Sequence, residues 1–186
     1  MSKILAFAGL VIWMFTAQTA FAQDPGKLIS DSQYFSVYSQ GAIDEFSLLT
    51  KLNYNYLVYG DTMVGKTNSD IANALAKNLD ALYLEVSDIL DIHIYNYKGV
   101  IVIVPDQAAL AQLLKKQFDL DFKERSIYYH EKSTIFISAA DLTVGMLGHE
   151  MAHALISNFF IVPPPPKVQE VLSGYVEYTL LKAHGS

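Results

Sequence analysis

The chain contains no cysteine in its 186 residues. A disulfide framework is therefore impossible, and stability has to come from an apolar core and any bound metal. A zinc site, where one exists, has to be built from histidine and carboxylate, a donor set commoner in catalytic than in structural sites. Basic clusters are missing as well: 13 lysines and arginines face 19 aspartates and glutamates, for a net charge of −6. That balance argues against nucleic acid and against an anionic membrane surface as partners. Internal repeats and interdomain linkers are also lacking, and the length suits one domain with a sizeable core.

Long apolar runs are absent except at the N-terminus. There Lys3 supplies a short positive region, residues 4–17 are almost unbroken apolar, and Ala20-Phe21-Ala22 sets small residues ahead of Gln23. This is the three-part pattern of a cleaved secretory signal. The run falls short of the roughly 20 residues a spanning helix needs, and no cysteine follows it to carry a lipid. The expectation is a signal peptide over 1–22 and a mature domain over 23–186, exported to a bacterial periplasm or beyond. Stable membrane insertion is not expected after cleavage. Losing residues 1–22 removes Lys3 and no acidic residue, so the mature net charge becomes −7.

Along the mature chain, Asp24-Pro25-Gly26 reads as an extended lead-in and Ser30-Asp31-Ser32 as a turn. Residues 34–38 have strand composition, 43–52 suit a short helix, 54–59 a further strand and 60–69 a loop. Ser69 or Asp70 is placed to cap a helix reaching residue 90, with Ile71, Leu75, Leu79, Leu82, Val86 and Leu90 at three- and four-residue spacing. Residues 99–104 form a continuous apolar run ended by Pro105, as in a strand covered on both faces. Asp106 then caps a helix over 107–118 with Leu110, Leu113 and Leu114 inward. Two β-rich runs, 126–130 and 134–138, flank Glu131-Lys132-Ser133 as a hairpin. Asp141 is expected to cap a helix over 142–160. Pro163 to Pro166 cannot continue it, and a last helix over 167–182 turns Val168, Val171, Leu172, Val176 and Leu180 inward.

Within the 142–160 helix stands His149-Glu150-Met151-Ala152-His153, an HExxH sequence. Histidines four residues apart share a helix face, so both imidazoles can reach one metal ion with Glu150 beside it. Met146, Leu147, Met151, Ala154, Leu155 and Ile156 surround the polar triplet, and a plain core helix has little reason to bury two histidines and a glutamate together. A catalytic zinc takes three protein ligands and leaves a fourth position for water. A third histidine six residues after His153, preceded by a glycine, would mark the metzincin class, but Phe159 and Ile156 stand there. The alternative source is a glutamate on the following helix. Glu170 and Glu177 lie seven residues apart and share a face, with Ser173 and Gly174 between them as a small pair suited to close approach.

Through His149-Glu150-Met151-Ala152-His153 and the downstream stretch Glu170-Val171-Leu172-Ser173-Gly174-Tyr175-Val176-Glu177-Tyr178, the sequence resembles the gluzincin, or peptidase MA-like, metallopeptidases. The resemblance implies an α+β, zincin-like fold: a small mixed sheet packed against the HExxH helix and a C-terminal glutamate helix. It also implies one Zn2+ ion and hydrolysis of a peptide or protein substrate by water, with Glu150 as general base. Many relatives carry a Glu-Gly-x-Ala-Glu-Tyr sequence whose first Glu is the third ligand. Aligned on Gly174 and Tyr178, that position is Ser173, which is no zinc ligand. Glu170, 17 positions after His153, is then the preferred third ligand. Glu177 is either an acceptor that orients a ligand histidine or the third ligand itself. Relatives often add a tyrosine or histidine donor for the oxyanion, for which Tyr175, Tyr178 and His130 are the candidates. They also bind substrate as a strand added to a sheet edge, here nearest the 127–137 hairpin. His93 and His184 have no partner pattern and read as ordinary histidines. A non-catalytic metal-binding domain that captures peptides or partners in the cell envelope is the alternative. Export of the full chain from a bacterial host is expected to yield a product starting at Gln23, checked by intact-mass measurement.

Overall fold

The computed structural model describes residues 25–52 and 67–184. The signal expected over 1–22, the strand expected over 54–59 and most of the loop expected over 60–69 lie outside the described residues. In chain order the elements are β1 (Lys27–Asp31), β2 (Phe35–Ser39), α1 (Glu45–Lys51), α2 (Asn68–Leu90), β3 (Gly99–Val104), α3 (Gln107–Phe118), β4 (Ser126–Tyr129), β5 (Thr134–Ser138), α4 (Val144–Phe159) and α5 (Pro166–His184), with a 3-10 turn, His130–Lys132, between β4 and β5. The five strands form one mixed sheet in the order β1-β2-β3-β5-β4. The inner three are parallel, and each outer strand runs antiparallel to its neighbour. The class is α+β.

Alternation along the central strand sorts the helices onto two faces. Ile101 and Ile103 join the larger core, which holds Leu75, Leu79 and Val86 of α2, Leu147, Met151 and Leu155 of α4, and Val176 and Leu180 of α5. Val102 and Val104 turn the other way, with Phe136, onto Leu110 and Leu114 of α3. A strand covered on both sides needs apolar residues at every position, which is why 99–104 shows no polar alternation. Leu113, expected inward, is only partly buried at the margin of that second cluster.

Helix ends follow local hydrogen-bonding chemistry. The α2 helix is capped at Thr67, ahead of both Ser69 and Asp70. The Asp70 carboxylate reaches back to accept from the Thr67 amide at 3.0 Å and hydroxyl at 2.8 Å. Asp106 caps α3 as expected, accepting from the Ala109 amide at 2.8 Å. Asp141 does not cap the motif helix. Its carboxylate accepts from the Ser138 hydroxyl at 2.8 Å, and Thr143 caps α4 by accepting from the Met146 amide at 3.1 Å. Pro166 opens α5 at the first helical position, where its missing N–H costs nothing.

Two other expectations are corrected. Ser30 and Asp31 belong to β1 rather than to a turn. This polar strand exists because it pairs with β2, through a bulge between Leu28 and Ser30, and the reversal falls at Ser32, whose amide donates to the Phe35 carbonyl at 2.8 Å. On α5, Val168 and Val171 are exposed, while Ser173, Val176 and Leu180 are buried. The inward face is chosen by what it meets on α4. Gly145 and Gly148 lie against α5: a Cβ on Gly145 would come within 2.9 Å of Leu181, and one on Gly148 would overlap Leu180. The small residues that let the two helices approach are thus these glycines with Ser173, whereas Gly174 has nothing within 4 Å of where its Cβ would be. Among the described residues no helix is long and apolar enough to cross a membrane.

The same kind of substitution should therefore have opposite signs at two glycines. Gly148→Val should destabilise the fold by about 1–3 kcal/mol through overpacking against buried Leu180. Gly174→Ala should stabilise it by roughly 0.5–1 kcal/mol by removing a helical glycine from an open position. Denaturant titration of the two variants checks both.

Candidate metal centre

On α4, positions 149 and 153 fall on one face, one turn apart, and that face looks toward the N-terminal half of α5. The Nε2 atoms of His149 and His153 are 3.2 Å apart. Glu170, in the second turn of α5, brings one carboxylate oxygen to 3.5 Å from His149 Nε2 and the other to 3.4 Å from His153 Nε2. Three donors around one tetrahedral zinc, at about 2.0–2.1 Å each, would stand about 3.3–3.4 Å from one another. The three side chains therefore form a triangle near that size, with a different Glu170 oxygen facing each imidazole nitrogen. Among the described residues this is a group of ligand atoms able to hold a metal ion, and its donors all lie within 4.8 Å of one another.

The surrounding contacts set the state of each donor. His149 Nδ1 is 3.1 Å from Glu177 Oε2. A carboxylate can only accept, so Nδ1–H is the donor to Glu177, and Nε2 is the nitrogen that faces His153 and Glu170. Burial pushes the His153 imidazole below its ordinary pKa, and the neighbouring His149 adds to this. A neutral ring is the form that can donate a lone pair to a metal. Glu177 thus supports a donor, whereas Glu170 belongs to the triangle itself. Ser173 is fully buried and takes no part in the cluster.

Glu150 lies beside the triangle and outside it. Its side chain is buried at 6% exposure, and its Oε1 accepts from the Ser126 hydroxyl of β4 at 2.7 Å. Burial raises its pKa most strongly; the Ser126 hydroxyl, the His149 ring and a backbone hydrogen bond from Tyr128 all act to lower it. A buried carboxylate held by a hydroxyl, and in no salt bridge among the described residues, is well placed to accept a proton.

These groups line a cleft of about 720 Å3 between edge strand β4 and the two helices, walled by Ile127 and Tyr128 on one side and by Pro163, Pro166 and Gln169 on the other. Of the three candidate oxyanion donors, His130 lines the cleft. Tyr175 and Tyr178 do not; they are 56% and 62% exposed on α5. The hairpin expected at the substrate edge does end the sheet, with β4 outermost. His93 pairs with Asp88 at 3.1 Å and His184 with Glu85 at 3.3 Å, both outside the cluster. Ser126 carried no mark in the sequence as a functional residue. The available signal was a hydroxyl opening a strand otherwise made of isoleucine and tyrosine, together with the need of a buried HExxH glutamate for a donor.

Compared with known proteins, the chain matches no family model, no curated protein and no solved structure.

The two glutamates should separate in a zinc titration. Glu177→Ala should weaken zinc binding about 10–100-fold by releasing the His149 ring, and Glu170→Ala should weaken it by more than that. Competition with a metal-sensitive chelator measures both, and the reverse order would make Glu177 the ligand.

Proposed function

We propose that this protein is an exported, zinc-dependent peptidase of the gluzincin kind, with a zincin-like fold, that hydrolyses peptide bonds in a peptide or protein substrate. The observation that carries this reading is the triangle of His149, His153 and Glu170, whose ligand atoms lie within 4.8 Å of one another, with a buried carboxylate, Glu150, immediately beside it. The fold adds support. An antiparallel edge strand, β4, borders the cleft, so an extended chain has a backbone edge to lie along.

A zinc ion held by His149, His153 and Glu170 would supply Lewis acidity, lowering the pKa of water and polarising a carbonyl. The chain's own residues do the rest. Glu177 holds the His149 ring in one tautomer and orientation. Glu150 takes a proton from the attacking water as the oxygen bonds to the peptide carbonyl carbon, then delivers it to the leaving amine when the C–N bond breaks. Of the three candidate oxyanion donors, His130 is the one that lines the cleft and can donate a hydrogen bond there.

A non-catalytic domain that uses the same site to bind peptides is the second reading. It is favoured by the 62% exposure of the Glu170 side chain, which puts the triangle at the rim of the cleft rather than deep within it. An intact Glu150 favours catalysis, because a purely structural metal site has no use for a base.

Zinc content and cleavage of a mixed peptide library, measured on wild type and Glu150→Gln, separate the readings. The peptidase reading expects one zinc per chain in both proteins and cleavage about 10²–10⁴-fold slower in the variant. Equal inactivity of the two across a broad library would favour the binding reading.

A further inference from the structure

We propose that Ser126 is the positioning residue for Glu150: its hydroxyl, fixed on edge strand β4, holds one carboxylate oxygen and leaves the other to take the proton. The inference rests on the peptidase reading above and adds to it a residue outside both helices that bear the triangle.

The argument starts from the pleat of β4. Ile127 and Tyr129 pack with the smaller core on the α3 side, and Tyr128 packs with the larger core on the α4 side. Ser126 therefore shares the face of Tyr128, the one turned toward α4. A hydroxyl on a face that packs against an apolar helix needs a partner, and the one it has is Glu150 Oε1, at 2.7 Å and 24 positions away in the chain.

Geometry also fixes the sense of that bond. A serine hydroxyl has a single proton, and here it is given to the carboxylate, so Oε1 is an acceptor and is committed. A glutamate has three rotatable side-chain bonds, and beside a site of metal donors a loose carboxylate would swing onto any bound cation and become a ligand. Tethering it to a strand, whose backbone is locked into the sheet through β5, removes that freedom before substrate arrives. The strand that guides the substrate backbone then also sets the position of the base, so the two are held in one frame.

The test uses protein purified from cells expressing the full chain, with Ser126→Ala and Ser126→Thr compared to wild type. Threonine keeps the hydroxyl on a residue suited to a strand. In the alanine variant kcat is expected to fall about tenfold to a hundredfold, with KM and zinc content unchanged, and threonine is expected to restore most of it. A readout independent of turnover is the visible absorption of the Co2+-loaded protein without substrate, which should change in the alanine variant and return in the threonine one. A wild type that cleaves, with an alanine variant unchanged in kcat and in spectrum, overturns the role of Ser126 while the peptidase reading stands. A wild type that cleaves nothing, with the spectral change seen in alanine and reversed in threonine, keeps the role of Ser126 and removes the peptidase reading. Loss of zinc or of folded protein in both variants would make Ser126 structural, and failure of wild type to bind Co2+ or zinc overturns both.

Discussion

The distance between α4 and α5 is the constraint on which everything else in this structure depends. Three imidazole and carboxylate donors meet only because two helices approach closely, and they approach because Gly145 and Gly148 present no side chain to Leu180 and Leu181. Ridges and grooves of ordinary side chains hold helices about 8–10 Å apart, and glycine at the contact lets the axes come nearer. The candidate ligands themselves contribute little to that packing; they sit at the margin of a core that includes Val176, Leu180, Met151 and Leu155. The core sets the spacing, and the polar groups at its edge inherit it.

Polarity inside this margin is tolerated because nearly every charge there has a partner with a defined role. Glu177 takes the proton-bearing nitrogen of His149, the Ser126 hydroxyl serves Glu150, and the two oxygens of Glu170 are divided between the two histidines. A buried carboxylate without donors would be driven to its neutral form and could not act as a base. Cleft and core are therefore continuous: the β4 strand that supplies the donor to Glu150 is stitched by its other edge to β5, and through β5 to the centre of the sheet.

Much of this was legible in the sequence where the deciding forces are local. The β3 and α3 boundaries follow from an unbroken apolar run, a proline and an aspartate cap, all within a few residues of one another. The HExxH pairing of His149 with His153 follows from helical periodicity alone. Legibility ends where a distant partner decides. The polar sequence of β1 becomes a strand only because β2 is beside it, and Asp141 loses the capping role to Thr143 because Ser138 engages its carboxylate. Valines mark one stripe of α5 and a serine another, and composition favours the valine stripe. The helix instead buries the stripe of Ser173, Val176 and Leu180 and leaves Val168 and Val171 exposed, with Leu180 set against Gly148 of α4. Ser126 was hidden for the same reason, its partner being 24 residues away.

The short, proline-stiffened link between α4 and α5 has a consequence for how such a centre comes into being. His149, His153, Glu170 and Glu177 are all contained within a span of 28 positions. Four consecutive prolines in that span restrict the unfolded chain before any contact forms. Loop-closure entropy grows with the logarithm of separation, so assembling these donors from the unfolded chain costs somewhat less than pairing β2 with β3, where Phe35 stands opposite Gly99. A helical hairpin with its donors nearly in register is thus a low-contact-order unit within a higher-contact-order sheet. Capture of a cation by that hairpin would be coupled to a local equilibrium, the docking of two chain neighbours, more directly than to the closure of the whole sheet.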